Sequence, residues 1–227
     1  MSSLARTKER RTSVDVVFDD LYDAIVTLEM LPGAKISEAE IAAKFGVSRQ
    51  PVRDAFSRLD NLGLLLIRPQ KATEVKRFSL YEVTKSRFVR SSVEAEVLRR
   101  AADCATEADG KLLDSNLARQ ALAVDDGNYE EFADLDYAFH KTLCAIAKVE
   151  FAFEVISFEK SRVDRLCRLS LSKEDRMGQL LEDHRAIAEG IKAGDRERAV
   201  EAGMLHLTRL DATIDAIFAR NPEYFED

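Results

Sequence analysis

ISEAEIAAKFGVSRQPVRDAFSRLDNL, residues 36–62, reads as two short helices joined by a tight turn. Ser37 is placed to cap the first helix, and Glu40, three residues on, completes a capping box. Ile41 and Phe45 give that helix a narrow apolar face. Gly46 ends it, because a glycine just past the last turn tolerates positive φ. Ser48 is placed to cap the second helix. Pro51 falls in its first turn, where a missing N–H costs no helix hydrogen bond. Val52, Phe56, Leu59 and Leu62 recur at helical spacing as a buried stripe. Arg49, Arg53 and Arg58 lie off that stripe and point outward. Two short helices, a glycine turn and a basic second helix make a helix-turn-helix pattern. Such a second helix enters a DNA major groove with its N-terminal residues, here Ser48, Arg49, Gln50 and Arg53, nearest the bases. An arginine fork donates two hydrogen bonds to guanine. A surface hairpin with solvated arginines would share the same pattern.

The residues that follow weaken that plainer alternative. Leu64 to Arg68 is apolar and strand-like, Pro69-Gln70-Lys71-Ala72 is turn-like, and Thr73 to Lys76 returns as a second strand. This is a wing, and Arg68, Lys71, Lys76 and Arg77 make it basic enough to touch phosphate. With the wing in place, PGAKISEAEIAAKFGVSRQPVRDAFSRLDNLGLLLIRPQ resembles the winged-helix domain of GntR-family bacterial transcription regulators, over about Val16 to Lys76. The resemblance implies that Arg49 and Arg53 read bases and phosphate, that Arg58 and Gly63 support the DNA contact, and that Lys71 sits at the wing tip. The family usually has glycine in the wing turn where this chain has Ala72, and alanine reaches positive φ only at a cost.

The chain has 227 residues, 46% hydrophobic and 33% charged, enough for one large domain or two modest ones. No apolar run approaches a membrane span. The N-terminus MSSLARTKERRTS is basic but lacks the apolar centre of a signal peptide, so a cytoplasmic location is expected. The three cysteines, Cys104, Cys144 and Cys167, fall on apolar helices and are expected to be reduced, packed thiols. A net charge of −7 argues against nucleic acid if taken whole, but the charge is divided. Residues 1–77 hold 13 Lys and Arg against 11 Asp and Glu, a balance of +2; residues 78–227 hold 21 against 30, a balance of −9. A mildly basic head on an acidic body directs DNA to the head.

Met1 to Thr12 is expected to be a polar arm, and Ser13 to Leu28 a first helix with Val16, Val17, Leu21, Ile25 and Leu28 inward. Lys76-Arg77-Phe78 is a short linker, and Ser79 is placed to cap the next helix. The expected division is 1–77 for the winged helix-turn-helix and 78–227 for a helical body. That body reads as six helices: Leu80 to Ala108, Gly110 to Val124, Tyr129 to Ala147, Phe151 to Leu171, Lys173 to Ala193, and Asp195 to Ala219. Their short connections favour an antiparallel, all-α bundle. The fold class is therefore mainly α, with a small β wing on the head.

His140, His184 and His206 are the chain's three histidines, and each lies on the apolar face of a different expected helix. Asp136 shares the face of His140, one turn before it. One inward histidine is usually a satisfied core residue. Three, with an inward carboxylate that is costly to bury alone, suit a divalent cation such as zinc, nickel, iron or manganese. LDYAFHKTL, EDHRAIAEGIKAGD and AGMLHLTRL resemble the three metal-holding stretches of the FCD effector domain, which accompanies many GntR regulators. The resemblance implies a divalent metal, zinc first, held by Asp136, His140, His184 and His206.

Four protein ligands leave positions open on a six-coordinate metal, and a small organic acid could fill them. Arg90 and Arg162 fall on apolar helix faces, where arginine can hold a carboxylate. Arg90 could equally pair with Glu94 one turn on. Arg165 lies nearer the rim of its helix, and Glu182 and Asp183 are expected to point away from the face of His184. Three functions compete. One is a dimeric regulator that reads a palindromic operator and answers to a carboxylate at the metal. The second is a metal sensor without an organic effector. The third is a metalloenzyme joined to a DNA-binding head.

Overall fold

The computed structural model describes residues 11–169 and 175–226. The expected arm therefore lies outside the described residues save for its last two positions. So do the expected end of one helix at Leu171 and the start of the next at Lys173. The chain forms two compact units. The described residues up to Phe78 join the tail from Glu223, and Ser79–Pro222 form the other unit.

The first unit begins with α1 (Ser13–Val26). Thr12 caps it, in a reciprocal capping box with Asp15. Val17, Leu21 and Ile25 are buried, while Val16, expected inward, is exposed. Strand β1 (Lys35–Ile36) precedes α2 (Glu38–Phe45). The Ser37 hydroxyl accepts from the N–H groups of Ala39 and Glu40, which is half of the expected box. Helix α3 (Arg49–Asn61) starts at Ser48 by its backbone, but the Ser48 hydroxyl makes no capping bond. Val52, Phe56 and Leu59 are buried against α1; Leu62, expected to join them, is exposed because the helix has ended there.

Glycine ends both α2 and α3. Gly46 has φ +64 and Gly63 has φ +69. After α3 the N–H of Leu64 returns to the carbonyl of Leu59, and that of Gly63 to Asp60, the paired bonds of a Schellman turn. Strands β2 (Leu65–Leu66) and β3 (Thr73–Val75) form the wing. The sheet has three strands in the order β1-β3-β2, all antiparallel, with Lys35 opposite Glu74 and Leu65 opposite Val75. Positive φ in the wing turn falls on Gln70, at +59, so Ala72 is not asked for it. Phe78 pairs with Phe225 of the returning tail, and the Arg77 guanidinium donates to the Glu223 carbonyl.

The second unit is wholly helical among the described residues: α4 (Leu80–Cys104), α5 (Glu107–Asp125), α6 (Tyr129–Ile146), α7 (Ala152–Cys167), α8 (Asp175–Lys192), α9 (Arg196–Thr208) and α10 (Leu210–Arg220). The expected last helix, Asp195 to Ala219, is two helices that meet at Arg209. Ser79 stands at the start of α4 without a side-chain cap. Helix α4 runs through the unit and packs on α6, α7, α8 and α9. Leu98, Ala101, Leu113, Phe132, Phe139, Ile156 and Ile187 belong to one core. All three cysteines are free thiols; Cys144 and Cys167 are buried and Cys104 is half-buried.

Candidate metal centre and nucleic-acid interface

The start of α3 presents Ser48, Arg49, Gln50 and Arg53, all exposed. Two of these side chains are already held. Gln50 donates to Asp54 at 2.8 Å, and Arg53 makes a two-pronged pair with Glu38 of α2, at 2.9 and 3.2 Å. Arg58 points elsewhere. Its guanidinium binds Asp15 at 3.0 Å and lies 4.0 Å over the Phe18 ring, clamping α3 to α1. Gly63 has a backbone task of its own at the Schellman turn. In the wing, Lys71 is exposed at the tip, whereas Arg68 and Arg77 both reach Glu74. Arg77, expected to add to a phosphate-facing wing, has its guanidinium on Glu74 and the Glu223 carbonyl.

The second site lies inside the helical unit. Helix α6 brings Asp136 and His140 to one buried face because four residues make about one turn. Helices α8 and α9 add His184 and His206. They can do so because Gly190 has no Cβ: one built there would sit 2.7 Å from the Ala199 nitrogen. A ligand atom from each of Asp136, His140, His184 and His206 lies within 4.8 Å of the others, and all four residues are buried.

Two of the three imidazoles are oriented by a hydrogen-bond partner. His140 Nδ1 is 3.1 Å from Glu94 Oε2, and His184 Nδ1 is 2.8 Å from Gln120 Oε1. With those nitrogens carrying the protons, Nε2 of both rings is a lone-pair donor turned to the cluster. His206 Nδ1 is 3.8 Å from Asp183, beyond hydrogen-bond length. His140 Nε2, His184 Nε2 and His206 Nδ1 are buried and have no hydrogen-bond partner. Two unsatisfied Nε2 atoms facing one buried carboxylate, with a third buried imidazole beside them, are a costly arrangement for a protein interior and a suitable one for a divalent cation.

The electrostatics agree. Burial pushes His184 down to about 4 and lowers His206 as well, so both rings are neutral near pH 7. Burial alone would raise Asp136, but Lys160, His184 and His140 hold its carboxyl well below the usual range. Burial would likewise raise Glu94, and Arg90 with His140 holds it low.

Of the two expected pairings of Arg90, the one with Glu94 is formed. Its Nε donates to Glu94 at 2.8 Å, and its Nη2 is buried without a partner. Arg162 is not inward. It pairs with Glu82 and lies over the exposed Phe158 ring, because α7 is turned so that Val155 and Phe158 face out. Ile156, Lys160 and Val163 face in instead. Lys160 was missed; its ammonium is 2.9 Å from Asp136. Arg165, expected at the rim, is buried, and burial pushes it down to about 10. Asp183, expected to point away, is buried and held by Arg209 at 2.9 and 3.0 Å. Gln120 was also missed, although a polar residue in the stripe of Leu113, Leu117 and Val124 was the available signal.

Comparison with known proteins agrees with both halves. The gntR family of bacterial regulatory proteins matches residues 14–75, and the FCD domain matches residues 86–209. The HTH-type transcriptional repressor RspR of Escherichia coli K12 is 34% identical over 203 residues, covering 89% of each chain. A regulator from an unstable DNA locus of Streptomyces ambofaciens is 33% identical, covering 98% of this chain and 93% of its own. Among solved structures, E. coli McbR/YncC superposes with a TM-score of 0.70 at 18% identity, over 92% of this chain and all of the other, a likeness of fold. The chain belongs to the gntR family of bacterial regulatory proteins, in the branch that carries an FCD domain, and is a DNA-binding transcription regulator.

Proposed function

We propose that this regulator binds a palindromic operator as a homodimer, and that a small organic acid at a divalent metal in the helical unit controls its hold on DNA. The observation that carries the reading is the buried cluster of Asp136, His140, His184 and His206, whose ligand atoms lie within 4.8 Å of one another and in which Nε2 of His140 and of His184 has no hydrogen-bond partner. Asp136, His140, His184 and His206 would hold the metal, and it would supply open coordination positions to a carboxylate. Arg90 is placed to take part through its unpartnered Nη2. Zinc suits three imidazoles and a carboxylate, and nickel, manganese and iron suit the same donors.

In the head, Arg49 and Arg53 would read bases and phosphate from the start of α3, with Ser48 and Gln50 beside them and Lys71 at the wing. One winged helix reads few bases, which favours two heads on one operator. An effector shifts the equilibrium between two dimer geometries only through its different affinity for them. Repression in the cytoplasm, relieved by the acid, is the form this takes. The carboxylates around the cluster support binding rather than turnover. Among the described residues, Glu94 is paired with Arg90, Asp164 with Lys160 and Asp183 with Arg209, so none of these three carboxylates is free to serve as a general base.

The test is selection of genomic DNA fragments by the full-length protein, followed by binding titrations with and without candidate acids. Release of the selected DNA by an acid only in metal-loaded protein, with the acid recovered unchanged, is expected. Release that is equal after chelator treatment contradicts the metal's part. Conversion of the acid contradicts the regulator reading of the site.

A further inference from the structure

We propose that Lys160 is a built-in counter-ion that competes with the metal for Asp136, so that the empty site stays assembled and the loaded site stays exchangeable. The proposal rests on the metal reading above and deepens it. Lys160 is 8% exposed on α7, and its Nζ lies 2.9 Å from Asp136 Oδ2 and 2.5 Å from Asp164 Oδ2. Asp136 is thereby divided between two tasks. Its Oδ1 faces the histidines, 3.2 Å from His184 Nε2 and 3.7 Å from His140 Nε2, while its Oδ2 stays on the ammonium.

Two consequences follow from the charges. Without a cation, Asp136 is a buried carboxylate, which is costly to leave without a charged partner. Lys160 supplies that charge and keeps the carboxylate in place. A dication held by Asp136 would share that carboxylate with Lys160, and the two cations would repel each other in a poorly solvated interior. The metal is then held less tightly than the same four ligands would hold it alone. The neighbouring buried arginine does not play this part, since Arg90 is engaged with Glu94. Asp164 sets the balance. Its side chain is 34% exposed and takes the other share of the ammonium, so weakening it throws Lys160 harder onto Asp136.

The experiment is competition titration of chelator-stripped, full-length protein with zinc and manganese against a chromophoric chelator, with melting curves of the same samples. Lys160→Gln is expected to bind metal at least about tenfold tighter than the wild type. Its metal-free melting temperature is expected to fall, so that the rise on adding metal exceeds that of the wild type. Asp164→Asn, at a half-exposed position, is expected to bind more weakly. Equal or weaker binding by folded Lys160→Gln overturns the proposal, because a residue that only positions Asp136 would give that result. If Lys160→Gln does not fold, Asp164→Asn decides, and unchanged or tighter binding overturns the proposal. A wild type that takes up neither metal overturns the metal reading and this proposal with it. That failure shows in the wild-type titration, whereas the present one shows in the ratio of variant to wild type.

Discussion

The amide oxygen of Gln120 on α5 lies 2.8 Å from Nδ1 of His184 on α8. Gln120 is in turn fixed by its own amide, which donates to Asn116, and Asn116 donates to the Leu135 carbonyl beside Asp136. This chain ties two helices of the cluster to a third. Replacing Gln120 with leucine keeps the volume but removes the acceptor. Metal affinity is expected to fall about 10- to 100-fold, the usual cost of losing an outer partner of a ligating histidine. Titration of stripped protein checks it, with circular dichroism as the control for folding. Unchanged affinity in the folded variant would show that His184 needs no orienting partner.

Gly190→Ala addresses the packing that brings His184 and His206 together. The added methyl would meet the backbone of Ala199 at 2.7 and 2.8 Å, and backbone cannot step aside as a flexible side chain can. Overpacking of this kind costs about 1–3 kcal/mol. A lower midpoint in urea and weaker metal binding are expected together, since α8 must move from α9. A variant as stable as the wild type would mean that the two helices separate at no cost.

Arg53→Ala tests the reading head. Arg53 is exposed and its partner Glu38 is one helix away, so its removal leaves the core of Val52, Phe56 and Leu59 untouched. Operator affinity is expected to drop roughly tenfold or more at physiological salt. A loss shared by all sequences, with a shallower salt dependence, assigns the side chain to phosphate. A loss confined to the preferred operator assigns it to a base. Unchanged affinity removes Arg53 from the interface.

Stability of the metal-free protein should fall as the solution is acidified. His184 has an ordinary value of 6.5 and burial takes it to about 4 in the folded chain. Between those values the unfolded chain binds the proton and the folded chain does not, so stability declines as pH drops through that window. Glu94 and Asp136, both held below their ordinary values, extend the loss to lower pH. Melting temperatures of stripped protein at about pH 7.5, 6 and 5 should descend in that order. A flat series would mean that His184 is as accessible to protons in the folded state as in the unfolded one.

The head was legible because its punctuation is chemical. Gly46 and Gly63 stop helices by positive φ, Pro51 marks a first turn, and Val52, Phe56 and Leu59 repeat at helical spacing. Strand β1, only two residues long, carries no pattern to read. The metal-type cluster was legible because histidine is scarce in this chain and each copy lies on an apolar face. Lys160 was not, because α7 has apolar residues on two faces. Val155 and Phe158 suggested a stripe through Arg162, but they are exposed, and the buried stripe runs through Ile156, Lys160 and Val163. The bend between α9 and α10 has neither glycine nor proline at Arg209, so periodicity runs through it unmarked.

The most direct test of the account is native mass spectrometry of the full chain, purified without chelator, together with elemental analysis of the wild type and His184→Ala. The account predicts a dimer with about one metal per chain, and loss of that metal in His184→Ala because one of four donors is gone. Wild-type protein that is metal-free, and stays so after zinc, nickel and manganese are offered, would contradict it. The three histidines would then be core residues, and regulation would have to act through something other than this site.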